Sequence, residues 1–137
     1  MTTPFGPQLI GETEKTLQAL LVRFLRDTGL TEPQWVTLRL AAQLDAVDAT
    51  GLAAAVADRA HFPDAAALVD ALTDRGLLDR GRLTDAGRDV IETTLARSGR
   101  ETAPIWQDLP PEDVAAATSV LNEVLVRARR VLSATST

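Results

Sequence analysis

The sequence predicts a mainly α fold with long helices at both ends and one minimal β-hairpin. Apolar residues recur at i, i+3, i+4 and i+7 spacing along most of the chain. No β-branched run alternates over the length of an ordinary strand. Prolines, glycines and capping residues interrupt the helical spacing at regular stations. A chain of 137 residues is long enough for one domain with its own core, and residues 1–137 are read as one domain.

The first helix is expected from Pro7 to Thr28, ending at Gly29, with Leu9, Ile10, Leu17, Leu20, Leu21, Phe24 and Leu25 at helical spacing. Thr31 caps a second helix, whose first turn tolerates Pro33 because the missing N–H has no helical partner there. Trp35, Leu38 and Ala42 mark one face of that helix and Val36, Leu40 and Leu44 another, so it should be buried on more than one side. Asp45 to Thr50 reads as a polar turn. Leu52, Ala55, Val56 and Arg59 follow at helical spacing. Phe62 and Pro63 then break the pattern and restart it, with Pro63 expected at a first helical position.

In the restarted helix Ala65, Leu68, Val69 and Leu72 form the apolar stripe. Ala66, Ala67, Asp70, Thr73 and Asp74 remain on the outward side, and Gly76 stops the helix at a C′ position. Leu77-Leu78 and Leu83-Thr84 flank Asp79-Arg80-Gly81-Arg82, a tight hairpin with Gly81 in the turn. Thr84 caps a long helix towards about Arg100, where Ser98-Gly99 marks a kink or break. Leu109-Pro110-Pro111-Glu112 is a stop and restart. The last helix, about Pro111 to Leu132, carries Val114, Ala117, Leu121, Val124, Leu125 and Ala128 on one stripe, and Ser133 to Thr137 is expected to fray.

Helix, turn, helix, hairpin and the start of a long helix over Leu52 to Arg88 is the order of a winged helix-turn-helix, whose second helix normally lies in the DNA major groove. With the helix begun at Thr31, the winged-helix core is read as residues 31–88. The long amphipathic segments 7–28 and 89–132 need a partner surface, from the same chain or a second copy.

Composition bounds the function. A net charge of −5 argues against gripping nucleic acid by bulk charge, although a local basic patch is compatible with it. Aromatics at 4% leave no platform for stacking single-stranded bases. The absence of cysteine removes disulfides and thiolate metal sites, and His61, the sole histidine, has no acidic grouping at helical spacing to complete a metal site. No cofactor is implied. No Gly-rich phosphate loop, nucleophile elbow or paired-carboxylate site stands out, so the chain is read as no enzyme. No leader or membrane-length apolar run is found, which gives the expectation of a cytoplasmic protein without a membrane partner.

Three segments carry a family resemblance: Leu30-Thr31-Glu32-Pro33-Gln34-Trp35, Leu68-Val69-Asp70-Ala71-Leu72-Thr73-Asp74-Arg75-Gly76-Leu77 and Leu83-Thr84-Asp85-Ala86-Gly87-Arg88. Together with the acidic start Pro110-Pro111-Glu112-Asp113, their order and spacing resemble the MarR family of bacterial regulators. The resemblance implies a homodimer built from the first and last helices, with 7–28 and 89–132 as dimerisation helices. It also implies two winged domains facing a pseudo-palindromic operator. A pocket for a small, often aromatic or anionic, effector would lie between stalk and winged domain, and the usual outcome is repression relieved by that effector.

On this reading Arg59, His61, Asp64, Ala66, Ala67, Asp70, Arg80 and Arg82 face DNA, and Arg75 can add to the positive charge. For Asp64, Asp70 and Asp74 a solvated acidic face is the preferred reading, and for Arg80 and Arg82 a solvated mixed-charge surface is the alternative. The hairpin is shorter than the family's wing. Phe24, Trp35, Leu38 and Trp106 are the candidate effector contacts, with core packing as the alternative for each aromatic. Arg127, Arg129 and Arg130 can pair with Glu12 and Glu14 across a dimer stalk or complement the dipole at the helix C-terminus. The alternative function is a MarR-fold interaction or small-molecule-binding protein with weak or no DNA binding.

Overall fold

A computed structural model of the chain describes residues 2–44 and 48–134. It is mainly helical: α1 (Pro7–Leu25), α2 (Glu32–Gln43), α3 (Ala49–Ala60), α4 (Ala65–Asp74), β1 (Leu78–Asp79), β2 (Arg82–Leu83), α5 (Asp85–Trp106) and α6 (Pro111–Ala134). The chain divides into two compact units, residues 1–100 and 101–137, so the boundary falls inside α5. The expected dimerisation segment 89–132 is thereby shared between them.

In the first unit the core is built by α2, α3, α4 and the hairpin. Leu38, Leu52, Val56, Val69, Leu72 and Leu78 are almost wholly buried, and Leu25, Leu30, Trp35, Leu77 and Ile91 extend the same cluster. Burial of α2 on several sides is observed, through Trp35, Thr37, Leu38, Leu40 and Ala41, whereas Ala42 is exposed. The helix opens with a full capping box: Gln34 N–H donates to Thr31 Oγ1 at 3.2 Å, and Thr31 N–H donates to Gln34 Oε1 at 3.0 Å. In α4 the stripe is Ala65, Val69 and Leu72, with Leu68 half-buried.

Several boundaries differ from the expectation for identifiable reasons. The first helix stops at Leu25 because Thr28 Oγ1 donates back to Leu25 O at 2.7 Å and accepts from Leu30 N–H at 3.0 Å, turning the chain. Thr50 belongs to α3, since Asp48 caps it by accepting from Gly51 N–H at 2.7 Å. The rest of the expected polar turn, residues 45–47, lies outside the described residues. Pro63 sits in a turn ahead of α4, whose N-cap is Asp64, and not in its first helical position. Ser98-Gly99 does not break α5, which continues through Pro104 to Trp106. Ser133 and Ala134 remain helical in α6, and the other three residues of the expected frayed tail, 135–137, lie outside the described residues.

The end of α4 is a Schellman motif. Gly76 adopts φ 76°, its N–H donates to Thr73 O, and Leu77 N–H donates to Leu72 O, both at 3.0 Å. The chain then enters the shortest possible hairpin, with Leu78 opposite Leu83 and Asp79 opposite Arg82. Arg80 (φ 54°) and Gly81 (φ 80°) form its two-residue turn, the left-handed pair that a type I′ turn requires. The turn does not project freely. A Cβ on Gly81 would stand 2.5 Å from Asp48 O and 3.0 Å from Ala49 N, so the hairpin tip is seated on the start of α3. Thr84 fastens the other end: its hydroxyl donates to Gly76 O at 2.6 Å and accepts from Gly87 N–H at 3.1 Å.

In the second unit Trp106 is followed by Asp108 in the left-handed region (φ 63°), and α6 restarts at Pro111. No residue of α6 is buried. Val114, Val120, Leu121, Val124, Leu125, Val126, Val131 and Leu132 are all exposed.

Two stability measurements check this packing. A Cβ on Gly87 would lie 2.2 Å from Leu77 O, a backbone atom that cannot step aside, so Gly87→Ala should destabilise by about 2–3 kcal/mol in urea unfolding. The same change at Gly99, in open space within α5, should stabilise by about 1 kcal/mol. Glu32 supplies a pH test. Partial burial, and secondarily the charge of Glu14, raises its carboxyl above the usual glutamate range. Its folded form therefore holds the proton more tightly than the unfolded chain. The associated stability is complete below the unfolded glutamate pKa and is lost as pH rises through the folded value. Glu32→Gln should accordingly match wild type at about pH 4 and exceed it in thermal stability at about pH 7.

Candidate nucleic-acid interface

The side chains expected to face DNA all belong to the first unit, where α3, the turn after it, α4 and the hairpin carry them. Ala66, Ala67 and Asp70 lie exposed on α4 beside Thr73 and Asp74, opposite the buried Ala65, Val69 and Leu72. Asp64 is the N-cap by position, yet its carboxylate makes no side-chain cap hydrogen bond, leaving an acidic group at the helix start. Arg59 is exposed in the last turn of α3. His61 follows as the C-cap in the left-handed region (φ 59°), its N–H donating to Ala57 O at 3.1 Å. The residue thus serves as a helix stop, a role for which Gly or Asn is the usual choice and which its side-chain type does not advertise.

Arg80 and Arg82 sit on the hairpin and line its exposed side together with Asp79, Leu83 and Thr84. Because the turn rests on Asp48 and Ala49, Arg82 also borders a separate cleft along the end of α2, with Ala41, Ala42, Leu44, Leu83 and Arg88. Arg82 thus stands on the hairpin beside Arg80, as expected from the sequence, and also borders the end of α2 and the start of α5.

Arg75 is not a free surface cation. Its guanidinium donates to Gly29 O and Thr28 O, both at 3.1 Å, and so satisfies carbonyls just after α1. Arg97 does the same from α5, donating to Phe24 O and approaching Asp27 Oδ2 at 3.4 Å. These two arginines clasp the C-terminal end of α1. Sequence reasoning missed both, because the acceptors are backbone atoms some 46 and 73 residues away and leave no residue-type signature.

Of the four candidate effector contacts, three belong to the first unit and one to the second. Phe24, Trp35 and Leu38 are buried in the first unit, at 9%, 6% and 0% exposure, and so have the core role that was the alternative for the aromatics. Trp106 belongs to the second unit and is 58% exposed. Arg127 pairs with Glu123 one turn earlier at 3.1 Å, an exposed i, i+4 pair within α6. Among the described residues no helix is long and apolar enough to cross a membrane, and no group of three His, Cys, Asp or Glu side chains could hold a metal ion.

No protein-family model matches the chain, and no curated protein or solved structure is significantly similar to it.

The two classes of arginine separate by stability. Arg75→Ala removes two charge-assisted hydrogen bonds from exposed carbonyls and should lower unfolding free energy by about 1 kcal/mol. Arg82→Ala, at an exposed hairpin position, should stay within about 0.5 kcal/mol of wild type. Paired denaturant titrations measure both.

Proposed function

We propose that the chain is a homodimeric winged helix-turn-helix regulator of the kind the MarR resemblance implies. In this reading α3 and α4 form the helix-turn-helix, α4 offers its outer face to the major groove, and a small effector controls binding. The observation that carries it is the exposure pattern of α4. One side is held by Ala65, Val69 and Leu72 in the core, and Ala66, Ala67, Asp70, Thr73 and Asp74 form an open opposite side. A helix fixed from behind and bare in front is what groove insertion requires. The exposed apolar residues of α6 support the dimer, because a helix with so many uncovered valines and leucines is stabilised chiefly by packing its apolar side on a partner.

A second reading is favoured by the charge of that same open side. Asp64, Asp70 and Asp74 would meet phosphates of like sign, and acceptance from a base amino group such as cytosine N4 is a minority mode of base readout. The hairpin, seated on α3, is also short for a wing. On this reading the protein keeps the dimeric fold and acts as an interaction or small-molecule-binding partner without DNA readout.

Binding to a duplex from the chain's own upstream intergenic region, measured at two salt concentrations, separates the two. If Arg80 and Arg82 of both subunits touch phosphates, log affinity should fall against log salt with a slope of about −3 to −4. Arg80→Ala and Arg82→Ala should then weaken binding to all sequences alike and flatten the slope. Weak binding with a nearly flat salt dependence contradicts the regulator and favours the second reading.

A further inference from the structure

Arg75 serves the ends of two helices. It is the C-cap of α4, its N–H donating to Ala71 O at 3.2 Å. Its guanidinium reaches across to the chain just after α1 and donates to Thr28 O and Gly29 O, both at 3.1 Å. From α5, Arg97 donates to Phe24 O, one of the last four carbonyls of α1, and approaches Asp27 Oδ2 at 3.4 Å. Two cations thus stand where the dipole of α1 is negative and its carbonyls lack intrahelical partners. We infer that Arg75 and Arg97 are positioning residues, which together fix the direction of α1 relative to α4 and α5.

The packing of α1 leaves its direction to these contacts. Its buried residues are Phe24 and Leu25, both in the last turn, whereas Ile10 and Val22 are exposed. Gly29, in the left-handed region (φ 73°), is the natural pivot beyond that turn. A helix of 19 residues is about 28 Å long, so a swing of about 10° at its last turn carries its first turn by about 5 Å. Arg97 holds the last turn at Phe24 and Asp27, and Arg75 holds the bend at Thr28 and Gly29. Two successive anchor points, reached from two different helices, remove the swing. The planar fork of Arg75 suits the task, since its two terminal nitrogens meet two successive carbonyls at once. It lies against the pivot itself: a Cβ on Gly29 would stand 3.5 Å from Arg75 Nη2.

The consequence for function rests on the regulator proposed above. With α1 paired to a second copy and the outer side of α4 turned to DNA, the angle between these helices sets how far apart the two copies of α4 stand, and with it the half-site spacing. Arg75 then acts on recognition without touching DNA, unlike Arg59, Arg80 and Arg82, the exposed arginines of α3 and the hairpin. The positioning itself belongs to the first unit alone and does not depend on what the chain binds.

The chain has no cysteine, so a pair of spin labels can be placed through Thr13→Cys and Ala67→Cys, at exposed positions of α1 and α4. Pulsed double electron–electron resonance on the labelled full chain, diluted into excess unlabelled chain, reads the intrachain distance. With both arginines present the distribution should be narrow, and Arg75→Gln/Arg97→Gln should make it at least about two-fold wider. Lost stability alone leaves the distance within the folded chain unchanged, so the width separates positioning from mere capping. Arg75→Lys keeps the charge but not the fork and should broaden the distribution by less, which keeps the test decisive if the double variant does not fold. A folded double variant of wild-type width overturns the inference, as does wild-type width in Arg75→Lys where the double variant is unfolded. Ala67→Cys labelled alone and undiluted reads the separation of the two copies of α4, which should broaden in parallel. A missing interchain distance contradicts the dimer and leaves the intrachain result standing.

Discussion

The first unit depends on one small set of side chains. Leu38 of α2, Leu52 and Val56 of α3, Val69 and Leu72 of α4 and Leu78 of β1 meet in a core almost fully removed from water. Full burial of each contributes about 1.5–3 kcal/mol, and no polar side chain in the described residues is left buried without a partner. That core decides which side of α4 faces inward, and therefore which residues are available to any partner. Around it, backbone contacts too close for a side chain fix the hairpin and the next helix: Gly81 on Asp48 and Ala49, and Gly87 on Leu77. The arginine clasp from Arg75 and Arg97 then holds the end of α1 against the same unit.

Much of this was legible in the residues. The helical spacing of Ala65, Val69 and Leu72, the capping residues Thr31 and Thr84, and the stop at Gly76 each encode a local feature that forms largely without distant help. A tight hairpin with Gly81 in its turn was legible for the same reason, although Asp79 and Arg82, read as part of the connection, belong to the paired strands. What was not legible depends on groups far apart in sequence. The use of Arg75 and Arg97 as caps for α1 requires knowing where its last carbonyls point, and the seating of Gly81 requires knowing where α3 begins. Continuation of α5 through Gly99 and Pro104 follows from neither propensity nor caps, and single breakers in a long helix are weak signals of its end.

The candidate site was legible in identity more than in arrangement. The outer side of α4 emerges as expected, because the residues left over from an apolar stripe are exposed by geometry alone. Arg82 stays on the hairpin with Arg80, and its second neighbourhood, at the end of α2 and Arg88, depends on how the hairpin seats on α3 and could not be read from sequence. The aromatics were ambiguous for a physical reason, since a large flat side chain serves a core and a pocket equally well. The electrostatic tension also persists in three dimensions. Asp64 at the start of α4 and Asp70 and Asp74 along it are exposed, whereas the exposed arginines Arg59, Arg80 and Arg82 belong to α3 and the hairpin.

Both functional readings share one premise, that the exposed valines and leucines of α6 are covered by a second copy of the chain. Light scattering on the size-fractionated protein, over a dilution series into the low micromolar range, tests it most directly. The account predicts a particle of twice the 14.7 kDa chain mass that persists on dilution. A stable, cooperatively folded monomer of 14.7 kDa would contradict it.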